Sequence, residues 1–226
     1  MLSFGRSEKF SHMPARTIAI GDIHGHSRAL AAILEDVKPQ PQDTLVFLGD
    51  YIDRGPDSRG VVEQVIGLQE RCHVVPLMGN HEEMLLNARE TEYALRIWLD
   101  NGGDTAFQSY GITEDLGPDD DIDADALWRA IPEKHLEFLG NTLRFHETDS
   151  HLFIHANYAP NWRLEDHDTR TSLWLPLTDL PGPHYSGKTA VLGHTPQPVS
   201  RHTTCPPSST LPSSCGVCPS TAVLPE

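Results

Sequence analysis

The sequence predicts an α/β domain built on parallel strands, and three observations carry that reading. Apolar runs at Thr17 to Ile20, Thr44 to Leu48 and Val74 to Leu77 have the length of buried strands. Helical apolar periodicity fills the two intervals between them. Each run also breaks abruptly into a polar phrase: Gly21-Asp22-Ile23-His24-Gly25, Gly49-Asp50-Tyr51-Ile52-Asp53-Arg54-Gly55 and Gly79-Asn80-His81-Glu82. Strand, helix, strand, helix, strand implies parallel pairing through right-handed crossovers. Open α/β sheets gather their ligands at the carboxyl ends of strands, where these phrases fall.

The elements follow in order along 226 residues, a length that fits one domain with a full core. Residues 1–15 lack the apolar stretch of a signal peptide and read as a flexible leader; residues 16–199 form the domain. Leu30, Ile33, Leu34 and Val37 recur at i, i+3, i+4, i+7, a helix capped by Ser27. A second helix runs from about Ser58, with Val61, Val62, Val65 and Ile66 inward. After the third phrase the helical period carries Leu85, Leu86, Leu95, Ile97 and Trp98 through Leu99, and Asn101-Gly102-Gly103 stops it. A short helix at Thr105 to Tyr110, an acidic loop from Glu114 to Asp125, and a helix from Ala124 to Leu139 interrupted near Pro132 complete a helical insert, 83–140. It lies beside the site, either shaping substrate choice or only covering the sheet. Strands at Thr142 to His146 and His151 to Ile154 form a hairpin around Glu147-Thr148-Asp149-Ser150, and Ala190 to Leu192 is the last strand. Residues 200–226 hold five Pro, six Ser, four Thr and three Cys, with Ala222 to Leu224 as their one apolar run. Such a composition buries too little to offset its ordering entropy, so a disordered tail is expected.

Charge and cysteine usage exclude several classes. A net charge of −15 argues against a nucleic-acid binder, which wants a basic stripe, but not against a phosphorylated substrate met by bound cations. Asp119, Asp121 and Asp123 imitate a calcium loop, yet Ala124 stands where its glycine belongs and Ala130 where its final glutamate belongs. No apolar run is long enough to span a membrane. Cys72 alone lies in the body of the domain, a small buried hydrophobe, and the lack of a disulfide framework there favours a cytoplasmic setting. In the tail, His202-x-x-Cys205 and Cys215-x-x-Cys218 nominally offer four zinc ligands, but the Pro-Ser runs around them supply no knuckle to hold an ion.

The three phrases place oxygen ligands, imidazoles and an arginine together without thiolate. That set suits Mn, Fe or Zn, with acidic ligands shared between two ions. Asp22 and His24 are two residues apart, so an extended turn can point both to one side. Such chemistry belongs to a metal-dependent hydrolase.

Taken together, Asp-x-His, Gly-Asp-x-x-Asp-Arg-Gly and Gly-Asn-His-Glu, followed by His155-Ala156-Asn157 and Gly193-His194-Thr195, resemble the signature of the phosphoprotein phosphatase (PPP) family of calcineurin-like metallophosphoesterases. The match covers roughly residues 13 to 198, five elements in order, and is most similar to bacterial and phage-like serine/threonine protein phosphatases. The resemblance implies a two-sheet β-sandwich flanked by helices, with the family's C-terminal strands missing here. It implies two divalent transition-metal ions, Mn²⁺ first and Fe or Zn as alternatives. Asp22 and His24 would bind one ion, Asp50 would bridge, and Asn80, His155 and His194 would complete the second site. A hydroxide bridging the ions would attack a phosphomonoester directly. His81 would be the general acid, Asp53 its orienting carboxylate and Arg54 a phosphate-binding fork. Among 13 histidines only those inside a phrase take a role, so His26, His73 and His151 take none. Arg163 and Arg170 are candidates for a second phosphate-binding arginine, with a surface ion pair as the plainer role for each. Asn157 departs from the glycine usual after His-Ala. The expected substrate is a phosphorylated protein. The rivals are symmetrical cleavage of diadenosine tetraphosphate, and a catalytically impaired phosphatase-like protein that only binds partners.

Overall fold

The chain turns its alternating apolar residues into two stacked sheets. The structure, a computed structural model, describes residues 15–114, 116, 123–179, 181–196 and 221–224. Strands β1 (Thr17–Ile20), β2 (Thr44–Phe47) and β3 (His73–Pro76) pair in parallel, with Thr17 opposite Thr44 and Thr44 opposite His73. The second sheet holds β4 (Phe145–Glu147), β5 (His151–Ile154) and β6 (Thr189–Leu192) in that order, β4 antiparallel and β6 parallel to β5. Helices α1 (Ser27–Val37) and α2 (Ser58–Leu68) make the crossovers of the first sheet. The insert holds α3 (Asn80–Ala88), α4 (Glu92–Trp98), a wide π-type turn at Leu99–Gly103, α5 (Asp104–Ser109), α6 (Ala124–Ala130) and α7 (Glu133–Gly140).

Period-two alternation sorts each strand between two cores. Ile18, Ile20, Leu45 and Phe47 face the helices and pack with Val61, Val65, Leu85 and Leu95. Ala19, Val46, Leu48, Val75 and Leu77 face the other way, against Phe153 and Val191 of the second sheet. The remaining face of that sheet, Leu152, Ile154 and Leu192, closes on Tyr158, Leu164 and Leu177. Strands buried on both sides read as unbroken apolar runs, which is why β1 to β3 stood out. Truncating a core residue such as Leu45, fully buried, would cost ~2–5 kcal/mol. No helix among the described residues is long and apolar enough to cross a membrane.

Several boundaries differ from the expectation, each for a physical reason. Ser27 does not cap α1: His26 holds that position, and the Ser27 hydroxyl donates instead to Asp57 Oδ2 at 2.5 Å, a charged acceptor. Asp57 in turn caps α2 by accepting from Gly60 N. The strand expected from Thr142 begins at Phe145, because Leu143 bridges Leu77 of the other sheet. Ile97 is 40% exposed although it shares a helix with buried Trp98. In the tail, Thr221–Leu224 forms β7, antiparallel to β1 with Ile18 opposite Val223, so the first sheet has the order β3-β2-β1-β7. Disorder was expected throughout 200–226, and at these four residues the structure differs. Composition averaged over the tail hides one short β-prone run, and the free edge of β1 supplies its backbone partners. The leader up to residue 14, Asp119 and Asp121 of the calcium-like stretch, and the zinc-like His202, Cys205, Cys215 and Cys218 lie outside the described residues. Cys72 is buried with its thiol on Leu68 O, as read from the sequence.

Candidate metal centre

Each polar phrase begins where a strand stops, and the backbone turns there through the left-handed region. His24 (φ 43°), Asp50 (φ 53°), Asp53 (φ 72°), Arg54 (φ 64°) and His194 (φ 62°) all lie in it. Among the described non-glycine residues only Lys38, the cap of α1, joins them. A side chain in this region costs ~1–2 kcal/mol, so the turns hold only because their surroundings over-determine them. One surrounding contact is Gly79, whose missing Cβ would fall 2.1 Å from Asp50 Oδ1.

Asp50 lies at the centre, 2% exposed. Its Oδ2 is 3.4 Å from His24 Nε2, and its Oδ1 is 3.6 Å from His155 Nε2. Two donor clusters therefore share this one carboxylate: His24, Asp50 and His81 on one side, Asp50, His155 and His194 on the other. Asn80 Oδ1 joins the second cluster, 3.0 Å from both His155 Nε2 and His194 Nδ1. The imidazoles are oriented from behind. His155 Nδ1 donates to Leu48 O at 2.7 Å and His24 Nδ1 to Ile52 O at 3.0 Å, which leaves each Nε2 lone pair pointing inward. His155 Nε2 then faces Asn80 Oδ1 and Asp50 Oδ1, acceptor against acceptor. A cation between them satisfies all three, and the donor set fits one. The charges agree. Burial, with the negative charge of Asp22 second, pushes Asp50 well above the carboxylate range, while burial holds His24 and His194 down to about 4, neutral and able to ligate.

A second constellation adjoins the first cluster. His81 Nδ1 and Trp98 Nε1 both reach Asp53 Oδ2, each at 2.7 Å. The ring of His81 stands edge-on to His24, centroids 4.7 Å apart, and its Nε2 has no partner although buried. Burial pushes Asp53 up to about 8, against the pull of the Trp98 N–H, and lowers His81 to about 3. Arg54 is exposed, and its NH1 donates to His24 Nε2 at 3.1 Å.

All nine residues singled out in the sequence converge on this end of the sheets, with one difference in grouping. Asp22 Oδ1 accepts from His194 N at 3.0 Å, and it is His81 rather than Asp22 that enters the tight cluster with His24 and Asp50. Of the two spare arginines, Arg163 is two-thirds exposed in an ion pair with Glu165, and Arg170 is exposed at the start of Arg170–Trp174. Asn157, in place of glycine, accepts from Tyr158 N at 2.8 Å. Three further residues support the site. Glu82 accepts from Asp50 N, Tyr51 N and Gly79 N at 2.8–2.9 Å and so ties the second phrase to the third. Burial and the Asp50 charge push it up to about 8, and the N–H donors pull it back. Ser58 Oγ accepts from Asp53 N, and Trp98 holds Asp53 from the insert. Only Glu82 had a signal, its place in the third phrase.

Comparison with known proteins places this geometry. The family described as calcineurin-like phosphoesterase matches residues 15–208. The chain is 43% identical over 86 residues to serine/threonine-protein phosphatase 1 of Salmonella typhimurium, covering 38% of each chain. It is 31% identical over 147 residues to the symmetrical bis(5'-nucleosyl)-tetraphosphatase of Janthinobacterium sp., covering 65% of this chain and 45% of that one. It is also 39% identical over 89 residues to serine/threonine-protein phosphatase 2 of Escherichia coli, covering 39% and 38%. These matches span less than half the length of each of those relatives. The crystal structure of a candidate diadenosine tetraphosphatase shares the fold, with TM-score 0.53 at 23% identity over 81% of this chain and 76% of the other.

Proposed function

The chain belongs to the calcineurin-like phosphoesterase family, and on that premise we propose that it is a two-metal phosphomonoester hydrolase acting on phosphoserine and phosphothreonine in proteins. The observation that carries the reading is Asp50, one carboxylate shared by two donor clusters, with the His81–Asp53 pair beside it. In this reading His24, Asp50 and Asp22 would hold one divalent ion and Asp50, Asn80, His155 and His194 the other, manganese being the proposed metal. When bound, the ions would supply Lewis acidity and a nucleophile at neutral pH.

The chain's own residues would do the rest. Arg54, exposed at the mouth of the site, offers a planar fork of donors to phosphate oxygens. His81 Nε2, buried without a partner, faces the cluster rather than protein. A phosphate brought against that end of the ring adds negative charge there, which favours protonation of Nε2. His81 would then hand this proton to the leaving alkoxide, while Asp53 keeps the opposite nitrogen bonded and balances the positive ring. Burial of Asp50, His81 and Asp53 keeps water from competing for these contacts.

A second substrate reading has its own support. The similarity to the Janthinobacterium tetraphosphatase extends over 147 residues, more of this chain than the phosphatase matches reach. Parallel assays of a phosphoserine peptide, diadenosine tetraphosphate and p-nitrophenyl phosphate with added Mn²⁺ separate the two. Faster turnover of the peptide is the expected result. Preference for the dinucleotide would replace the protein substrate, and no turnover of any of the three with two ions bound would leave a phosphatase-like binding protein.

A further inference from the structure

Asp53 depends on an indole that lies in the helical insert. Its Oδ1 is buried without a partner, so its orientation rests on Oδ2 alone. That oxygen takes two N–H groups, from His81 and, 45 residues along the chain, from Trp98. Trp98 itself has little freedom. Fully buried, it stacks on Trp128 at 5.8 Å and 11°, and meets the edge of Phe107 at 5.0 Å and 67°. Gly103 lies flat against the ring, where a Cβ would come within 2.6 Å of it. The turn that follows grips the neighbouring residue as well: Gly102 O accepts from Arg54 N at 3.2 Å. The end of α4 and the turn after it thus hold two consecutive residues in the left-handed region, Asp53 through its side chain and Arg54 through its backbone.

We infer that Trp98 is a positioning residue for proton delivery: its indole N–H fixes the Asp53 carboxylate, which aims His81 Nε2 at the leaving oxygen. The inference rests on the reading of His81 as the general acid. A tryptophan that merely packs and satisfies its own N–H would affect stability alike for every substrate. One that aims the acid affects poor leaving groups most, because only they need the proton.

The experiment compares Trp98→Phe with His81→Asn in the metal-loaded enzyme, on a phosphoserine peptide and on p-nitrophenyl phosphate. Trp98→Phe is expected to lower kcat on the peptide ~10-fold, with metal content and KM unchanged and the aryl phosphate much less affected. His81→Asn should show the same selectivity, more strongly. If His81→Asn discriminates and Trp98→Phe does not, the inference about Trp98 falls and the acid reading stands. If His81→Asn itself loses equally on both substrates, the acid reading fails and this inference goes with it. Trp98→Phe leaves a void in the core, so a measurement on the intact indole stands beside it. The Trp98 Nε1–H resonance, identified by elimination from Trp128→Phe, Trp162→Phe and Trp174→Phe, should shift in Asp53→Asn. A resonance that stays in place would overturn the contact.

Discussion

The two halves of the site are built differently. On one side His155 and His194 follow the ends of β5 and β6 and Asn80 opens α3 just after β3, so their contacts around Asp50 are made within a few residues of a strand end. On the other side His81 is aimed by Asp53, which is held by Ser58 of α2 and Trp98 of the insert. The first half rests on the sheets and the second on helices. In the proposed reading, holding cations and moving a proton would then be separable, and four measurements can break or sharpen that division.

The largest effect should come at the residue common to both halves. Asp50→Asn removes the shared carboxylate, and bound metal should fall from two ions per chain to one or none, with turnover reduced to background. Metal analysis checks this; two ions retained would remove Asp50 as a bridge. Next, His81→Asn should keep both ions yet lose ~10²–10⁴-fold on alkyl phosphates, and less on activated aryl ones. A loss of metal with it would mean that the cluster with His24 and Asp50 uses this imidazole as a ligand, merging the two halves.

Glu82→Gln tests the joint between the phrases. An amide keeps the shape but turns an N–H toward backbone N–H groups that now find a carboxylate. Metal affinity should weaken ~10–100-fold, the usual effect of losing such a supporting contact, and titration with Mn²⁺ would measure it. The smallest effect on turnover should come from Asp43→Asn, at the far end of β2. Asp43 accepts from Arg16 Nε and NH2, from Arg16 N and from Gln40 N. Burial alone would raise its pKa, but the Arg16 hydrogen bonds and charge hold it below the ordinary value. A carboxylate depressed in the folded state stabilises above its unfolded pKa and loses that contribution as pH falls through the lower, folded one. Asp43→Asn should therefore unfold more easily at neutral pH, with a smaller further loss on acidification below about pH 4, while turnover is unchanged. Thermal melts across pH would show it.

What could be read beforehand follows the same division. The strands, the order of the phrases and the convergence of the nine residues were legible because each lies within a handful of consecutive residues and unbroken apolar runs mark the strands. The helical insert was legible from its period, including the break at Asn101-Gly102-Gly103, which became the wide turn. Contacts between distant segments were not. Nothing near Ser27 announces Asp57 as its partner, and nothing near Trp98 announces Asp53. The job of Glu82 becomes visible only when the β2 loop lies over the start of α3. For β7, the deciding factor was an unpaired edge on β1, a property of the folded sheet rather than of the tail.

The left-handed turns at His24, Asp50, Asp53, Arg54 and His194 carry a consequence for how such a chain drifts. At each of them glycine would relax the backbone, so mutation that favoured only folding would replace these side chains first. A descendant released from its chemistry should therefore grow more stable as it loses them, keeping its two sheets while its strand ends fill with glycine.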